Sequence, residues 1–291
     1  MHGENPRTRR AGFRHLLLAA ALTVGSGALA ACDDGNAEEP DDTFEYVALG
    51  DSFTATGLPE APDDCKRSTQ NYPQLIADAD PEITLVDVSC GGASTADMTG
   101  SQEFRGTVQR PQLDALDEDT DLVTVSLGGN EFGVYWKVLY RCVQLAREDR
   151  GGAPCRQANG DRIERRMDAI RDNLADVLDA VGERSPDARV IFVGYPRLLP
   201  DEGGCPRRVP LASGDIAYVR SMLHLLVRAQ RAAAEQAGVE YVDVYTPSEG
   251  HDICSADPWV NDVTDGPQGS YNFHPMPAHQ RAVADLILEM L

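Results

Sequence analysis

The amino-acid sequence predicts an α/β fold in which a parallel sheet of about five strands carries helices on both faces. Three observations predict it. From Thr43 onward, short apolar runs rich in β-formers alternate with longer stretches of helical period, and such alternation produces parallel strands joined by helical crossovers. The length, 291 residues, suits one α/β domain plus an export segment. No internal repeat divides the chain.

Residues 1–31 stand outside this pattern. Arg7, Arg9, Arg10 and Arg14 form a basic head, Leu16 to Leu22 open an apolar stretch, and small residues follow to Ala31. That is the order of parts in a signal peptide. Its end, Leu29-Ala30-Ala31-Cys32, resembles the bacterial lipobox, in which the cysteine becomes the lipidated first residue of the mature chain. A surface lipoprotein anchored at Cys32, or a secreted protein if the anchor is lost, is therefore expected. Arg9-Arg10 with Phe13 leaves the general secretory and twin-arginine routes both open.

Residues 32–43 are polar, acidic and aperiodic, and are expected to form a flexible tether ahead of a domain over 44–291. Beyond the signal segment 22 Lys and Arg face 46 Asp and Glu, a formal charge of −24. Such a surface repels phosphate backbones and argues against a nucleic-acid partner. No other apolar run is long enough to span a bilayer, so membrane contact is expected through the N-terminal anchor. A monomer is expected.

The cysteine count is seven. Cys32 accounts for the odd one, leaving Cys65, Cys90, Cys142, Cys155, Cys205 and Cys254 as an even set in an exported chain, which reads as a disulfide framework whose pairing stays open. Neither a Cys-x-x-Cys pair nor zinc-ligand spacing appears, so no metal is expected.

The domain's strand candidates are Phe44–Leu49, Ile83–Val88, Leu122–Leu127, Val190–Gly194 and Tyr241–Val244. Helices are predicted over Pro73–Ala79, Ile163–Val181, Asp215–Ala237 and Pro277–Leu291. Arg141 to Gly160 lacks apolar periodicity and holds two cysteines, so a surface loop stapled on itself is expected there.

The chemistry concentrates where strands end, because ligands of an open α/β sheet bind at the carboxyl ends of its strands. The first strand ends in Gly50-Asp51-Ser52, the second in Ser89-Cys90-Gly91-Gly92 and the third in Gly128-Gly129-Asn130. A hydroxyl nucleophile, backbone N–H donors and a side-chain amide would then share one edge. A serine attacking an ester needs those donors for the oxyanion and a base for its proton. Of the histidines, His224 lies inside a long helix, and His279 lies in the first turn of the last helix, where a capping or surface role is expected. His251 sits beside Cys254, whereas His274 sits between Phe273 and Pro275 in a loop rigid enough to aim an imidazole. His274 is the better base.

Taken together, Gly50-Asp-Ser52, Gly92, Gly128-Gly-Asn130 and Phe273-His-Pro275 resemble the four sequence blocks of the SGNH hydrolases, also called GDSL esterases and lipases. The likeness is strongest to the secreted bacterial lipase, esterase and phospholipase branch with three disulfides, and it runs from Tyr46 to the C-terminus. The resemblance implies a three-layer α/β/α sandwich of flavodoxin-like type and a covalent acyl-serine mechanism without a cofactor. Ser52 would be the nucleophile and His274 the base. The N–H groups of Ser52 and Gly92 with the Asn130 amide would form the oxyanion hole. It also implies the pairs Cys65–Cys90, Cys142–Cys155 and Cys205–Cys254.

The chain departs from the family pattern in two places. Many members carry an aspartate three residues before the histidine, where this chain has Tyr271 followed by Asn272. A backbone carbonyl near Tyr271, the Asn272 side chain or another acid is then expected to orient His274, and a main-chain carbonyl, as in the branch it resembles, makes a Ser-His dyad. Glu131 stands where the branch usually has aspartate, and is expected to support its loop.

The substrate implied is a lipid or short-chain acyl ester, in a cleft walled by the loops at Phe53–Pro62, Phe132–Tyr140 and Trp259–Tyr271. A carbohydrate O-deacetylase would use the same chemistry in a smaller, more polar pocket. A non-catalytic glycan- or lipid-binding lipoprotein is the reading from a different class.

Overall fold

The structure, a computed structural model, describes residues 43–56, 63–264 and 271–291. The expected signal peptide, Cys32 and all of the tether but Thr43 lie outside the described residues.

Strand β1 (Phe44–Gly50) leads through a sharp turn into the short helix α1 (Ser52–Ala55). Helix α2 (Tyr72–Ala79) and strand β2 (Ile83–Asp87) follow, then the short helix α3 (Ala96–Thr99) and a hairpin of β3 (Gln102–Phe104) and β4 (Thr107–Gln109). Strand β5 (Leu122–Ser126), helices α4 (Arg141–Leu145), α5 (Pro154–Asn159) and α6 (Met167–Arg184), and strand β6 (Arg189–Val193) come next. Helix α7 (Ile216–Ala237), strand β7 (Glu240–Val242) and helix α8 (Pro277–Leu288) complete the order. All described elements, with the three disulfides, fall within the compact unit Asp42–Leu291.

The main sheet has the order β2-β1-β5-β6-β7 with every pair parallel. Side chains alternate across it with the period of an extended strand. Val47, Leu49, Val123 and Val125 face one core, into which α6 and α7 pack Ile170, Leu174, Val181, Val219 and Leu226. Tyr46, Ala48, Leu122 and Ile191 face the other, filled by Tyr72 and Ile76 of α2 and Val283 and Ile287 of α8. These are the two outer layers of an α/β/α sandwich, as the alternation predicts.

The predicted strands and long helices stand within one to four residues of their expected limits. One expectation about the fold is overturned. Residues 141–160 are not a surface loop but carry α4 and α5, with Cys142, Val143, Leu145 and Cys155 buried in the larger core. Helices of five and six residues are too short to display a periodicity. They are held from outside instead. The Cys142–Cys155 disulfide joins them, and the carboxylate of Asp215, just before α7, accepts hydrogen bonds from the N–H groups of Cys155 (2.8 Å) and Arg156 (2.9 Å).

Register sets the site. Gly50 pairs with Ser126, so β1 and β5 end level, and Ser52 shares a cleft with Gly129 and Asn130. Only glycine fits at position 50: a Cβ there would lie 2.2 Å from Thr54 Oγ1 and 2.8 Å from the Ser126 carbonyl.

Candidate active site

Ser52 opens α1 immediately past the end of β1, and Asp51 is the N-cap, its Oδ1 accepting from Phe53 N–H at 2.9 Å. That cap uses the carboxylate on the second helical N–H and leaves the N–H of Ser52 without a partner among the described residues. The Ser52 hydroxyl lies 2.9 Å from Nε2 of His274. On the far side of the ring, Nδ1 lies 2.8 Å from the main-chain carbonyl of Asn272. A carbonyl can only accept, so Nδ1 carries the proton and Nε2 presents its lone pair to the serine.

Of the expected orienting groups, the structure brings a backbone carbonyl next to Tyr271, that of Asn272, to His274, whereas the Asn272 side chain turns to Tyr140. The Tyr271 carbonyl accepts from the His274 backbone N–H at 3.1 Å, and its ring stands edge-on to the imidazole at 6.3 Å. The Asn272 carbonyl and Oδ1 both accept from the Tyr140 hydroxyl, at 2.8 and 2.9 Å. The loop is further pinned by Tyr135, whose hydroxyl donates to the Phe273 carbonyl, and by a bridge between Val260 and Pro275. Burial disfavours the imidazolium and pulls the His274 pKa below its ordinary 6.5, against the smaller opposing effect of the Asn272 carbonyl.

The donors converge as the strand ends imply. Gly92 (φ +78°) and Asn130 line one cleft with Ser52 and His274. The Gly92 N–H makes no hydrogen bond among the described residues. The Asn130 amide donates one hydrogen to the Ala93 carbonyl at 2.9 Å, and its second remains available to the cleft. Glu131, on the next residue, accepts from Thr95 N–H (2.6 Å) and Asn173 (3.4 Å), holding the loop after Gly92 against the loop after β5.

The cleft encloses about 330 Å³, and its walls are aromatic: Phe53, Phe104, Tyr135, Trp136, Tyr140 and Tyr271. Of the expected walls, residues 57–62 and 265–270 lie outside the described residues. Within Phe132–Tyr140, Tyr135, Trp136 and Tyr140 line the cleft, whereas Phe132 and Val134 turn into a neighbouring one.

Some of what supports the site was not visible as function in the sequence. Asp51 is fully buried, and desolvation pushes its carboxyl up to about 7 despite the hydrogen bonds it accepts from Tyr195 and Phe53. The Tyr195 hydroxyl that donates to it also accepts from Gly129 N–H at 3.1 Å. Three buried glutamines tie down backbone around the strand ends. Gln112 exchanges hydrogen bonds with Gly50 at 2.8 and 2.9 Å. Gln230 bridges Tyr195 N–H and the Leu127 carbonyl. Gln280 bridges Tyr72 N–H and the Phe53 and Thr56 carbonyls. A glutamine in a helix looks the same in sequence whether it faces water or a strand end. The β3–β4 hairpin, which delivers Phe104 and Arg105 to the cleft, was missed because its strands have only three residues each.

The remaining histidines stand apart. His251 stacks on Trp259 at 4.7 Å with Nδ1 on the Asp257 carbonyl, and His224 is exposed on α7 against Tyr245. His279 is neither a cap nor at the surface, correcting the expectation for it. It is 2% exposed between Phe53 and Trp259, and neither ring nitrogen has a partner among the described residues.

A family model described as GDSL-like lipase/acylhydrolase matches residues 48–282. Lipase 2 of Streptomyces coelicolor is 36% identical over 292 residues, an alignment covering 96% of this chain and 97% of that one. The crystal structure of phospholipase A1 from Streptomyces albidoflavus has a TM-score of 0.71 at 26% identity, covering 86% of this chain and 100% of that one. That of the extracellular lipase from Streptomyces rimosus has a TM-score of 0.70 at 26% identity, covering 85% and 100%.

Proposed function

The chain belongs to the GDSL-like lipase/acylhydrolase family and is a carboxylic ester hydrolase, and from that premise we propose that it is an exported serine esterase of lipid acyl esters, working through a Ser52–His274 dyad. The observation that carries the reading is the relay from Ser52 Oγ through His274 to the Asn272 carbonyl, with contacts of 2.9 and 2.8 Å and no carboxylate in it.

In the proposed reaction, Nε2 of His274 takes the Ser52 proton as Oγ attacks the acyl carbonyl. The carbonyl oxygen becomes an oxyanion, held by the N–H groups of Ser52 and Gly92 and the Asn130 amide. Collapse breaks the ester bond, and the imidazolium returns its proton to the leaving alcohol. Water, deprotonated by the same nitrogen, then attacks the acyl-serine and releases the carboxylic acid with Ser52 restored. A carbonyl orients the imidazole without compensating its positive charge, so the dyad depends on geometry and on the oxyanion donors.

The aromatic walls favour an acyl chain over an acetylated sugar, and this supports the lipase reading above the deacetylase one. Export is supported by the basic-then-apolar order of residues 1–31 and by three disulfides. Attachment at Cys32 is supported by Leu29-Ala30-Ala31-Cys32. A fluorophosphonate tests the nucleophile: Ser52 Oγ displaces fluoride and keeps the phosphonyl group. Peptide mapping should find the added mass on Ser52 and none on the Ser52→Ala chain. Labelling at another serine, or none, would remove the assignment.

A further inference from the structure

The catalytic cleft has a neighbour. A second cleft of about 680 Å³ lies across a shared wall, the segment Phe132–Lys137: Phe132, Val134 and Lys137 face the second cleft, while Tyr135 and Trp136 face the catalytic one. Among the described residues, the charged side chains of the second cleft are Lys137, Arg162, Arg165 and Arg166, with no carboxylate. Those of the catalytic cleft, His274 apart, are Lys66 and Arg105, again with no carboxylate. In a chain with 47 Asp and Glu against 26 Lys and Arg, two neighbouring clefts whose described linings carry cations and no carboxylate run against composition.

These cations are also poorly neutralised. Arg165 pairs with Asp161 at the surface. Among the described residues, Lys137 and Arg162 donate only to the Phe132 and Ala158 carbonyls, and Arg166 lies over the Phe132 ring at 4.5 Å. The wall that separates the clefts carries two of the four large exposed hydrophobics among the described residues, Trp136 (52% exposed) and Phe132 (37%). Cations around exposed aromatics match a layered partner, with phosphates outside and an apolar layer beneath. A soluble anion would give Trp136 nothing to enter.

We propose that this face docks on an anionic lipid surface. The cationic cleft takes the phosphate headgroups, Phe132 and Trp136 enter the interface, and the adjoining catalytic cleft meets the esters of that surface. The proposal rests on the esterase reading for its benefit to catalysis, but its test needs no hydrolysis.

The test uses Asp42–Leu291, which contains the whole sheet, both cores and all three disulfides and no lipid anchor. It is sedimented with vesicles of phosphatidylcholine alone, or of equal parts phosphatidylcholine and phosphatidylglycerol. Partition is expected into the anionic vesicles only, weakening with added salt and shifting tryptophan emission to the blue as Trp136 leaves water. Combined Arg162→Gln, Arg165→Gln and Arg166→Gln should weaken partition by about 100-fold, a loss typical of three cations leaving a charged membrane surface. Its circular dichroism and melting temperature should match the parent chain, showing that it folds. Ser52→Ala should partition like the parent, so failure of the esterase reading and failure of docking give different results. Equal partition into both vesicles, undiminished binding by the triple variant, or binding of heparin without binding of anionic vesicles would each overturn the proposal.

Discussion

The hydroxyl of Tyr195 donates to the carboxylate of Asp51 and accepts from the N–H of Gly129, joining the turn that presents Ser52 to the loop that presents Asn130. The approach is close enough that a Cβ on Gly129 would lie 2.9 Å from that hydroxyl. The Tyr195 ring also stacks on Phe53 at 4.1 Å, so one side chain braces the residues on both sides of Ser52. In the proposed mechanism, this link sets the geometry between the Ser52 hydroxyl and the Asn130 amide.

Tyr195→Phe keeps the stacking and removes the link. It leaves a buried carboxylate and a buried N–H each short of a partner, which should cost about 1–3 kcal/mol of stability. If the link aligns the donors, kcat should fall by about tenfold or more with KM little changed, because the loss is felt where the oxyanion forms. Steady-state kinetics with a soluble ester check this; a pure stability loss with normal kcat would reduce Tyr195 to a packing residue.

With His274 as the proposed base, its depressed pKa should set the acid limb of the rate. The base must be neutral, and a folded-state pKa below 6.5 keeps it neutral into mildly acidic solution. The acid limb of kcat/KM should therefore fall with a midpoint below pH 6.5. A midpoint above 6.5 would mean that an unrecognised anion stabilises the imidazolium.

Asn130→Ala removes one proposed oxyanion donor but leaves the dyad. The rate should drop by about 10²–10³ in kcat, the usual effect of deleting such a donor. A loss below about threefold would assign the amide to its Ala93 contact alone.

His279 should make the protein acid-sensitive. Burial pulls its pKa from 6.5 to about 3. Above about 6.5 the ring is neutral folded and unfolded, with no effect on stability; between about 6.5 and 3 only the unfolded chain takes the proton, so stability falls as pH falls. The slope from this group alone is at most about 1.4 kcal/mol per pH unit. Depressed in the same direction, His274 adds to it, whereas raised Asp51 acts oppositely, costing stability as pH rises toward 7. Melting temperatures at acid and neutral pH should differ less for His279→Leu than for the parent; an unchanged difference would contradict the assignment.

How much was legible in the sequence follows from range. Strand and helix periods are local, so the five strands and α2, α6, α7 and α8 could be read directly. Ser52, Gly92 and Asn130 were legible because each follows an apolar run that must end at the sheet's carboxyl edge, and His274 because Phe273 and Pro275 restrain it. Contacts made across long separations were not. Asp215 capping α5, Gln112 pairing with Gly50 and Tyr195 bridging Asp51 to Gly129 each depend on chain segments that meet only in the fold. His279 was misplaced because a polar residue in a first turn looks like a cap, and burial on the α8 face overrode that preference. The replacement of the usual aspartate by Tyr271 was visible, but the choice of the Asn272 carbonyl as orienter required the loop's backbone geometry.

The most direct measurement is hydrolysis of p-nitrophenyl acetate, octanoate and palmitate by Asp42–Leu291 and by its Ser52→Ala variant. Turnover should favour the longer acyl chains and fall by at least about 10³-fold in the variant, since the remaining donors and cleft cannot replace the nucleophile. Turnover that survives the substitution, or none above it on any ester, would contradict the account.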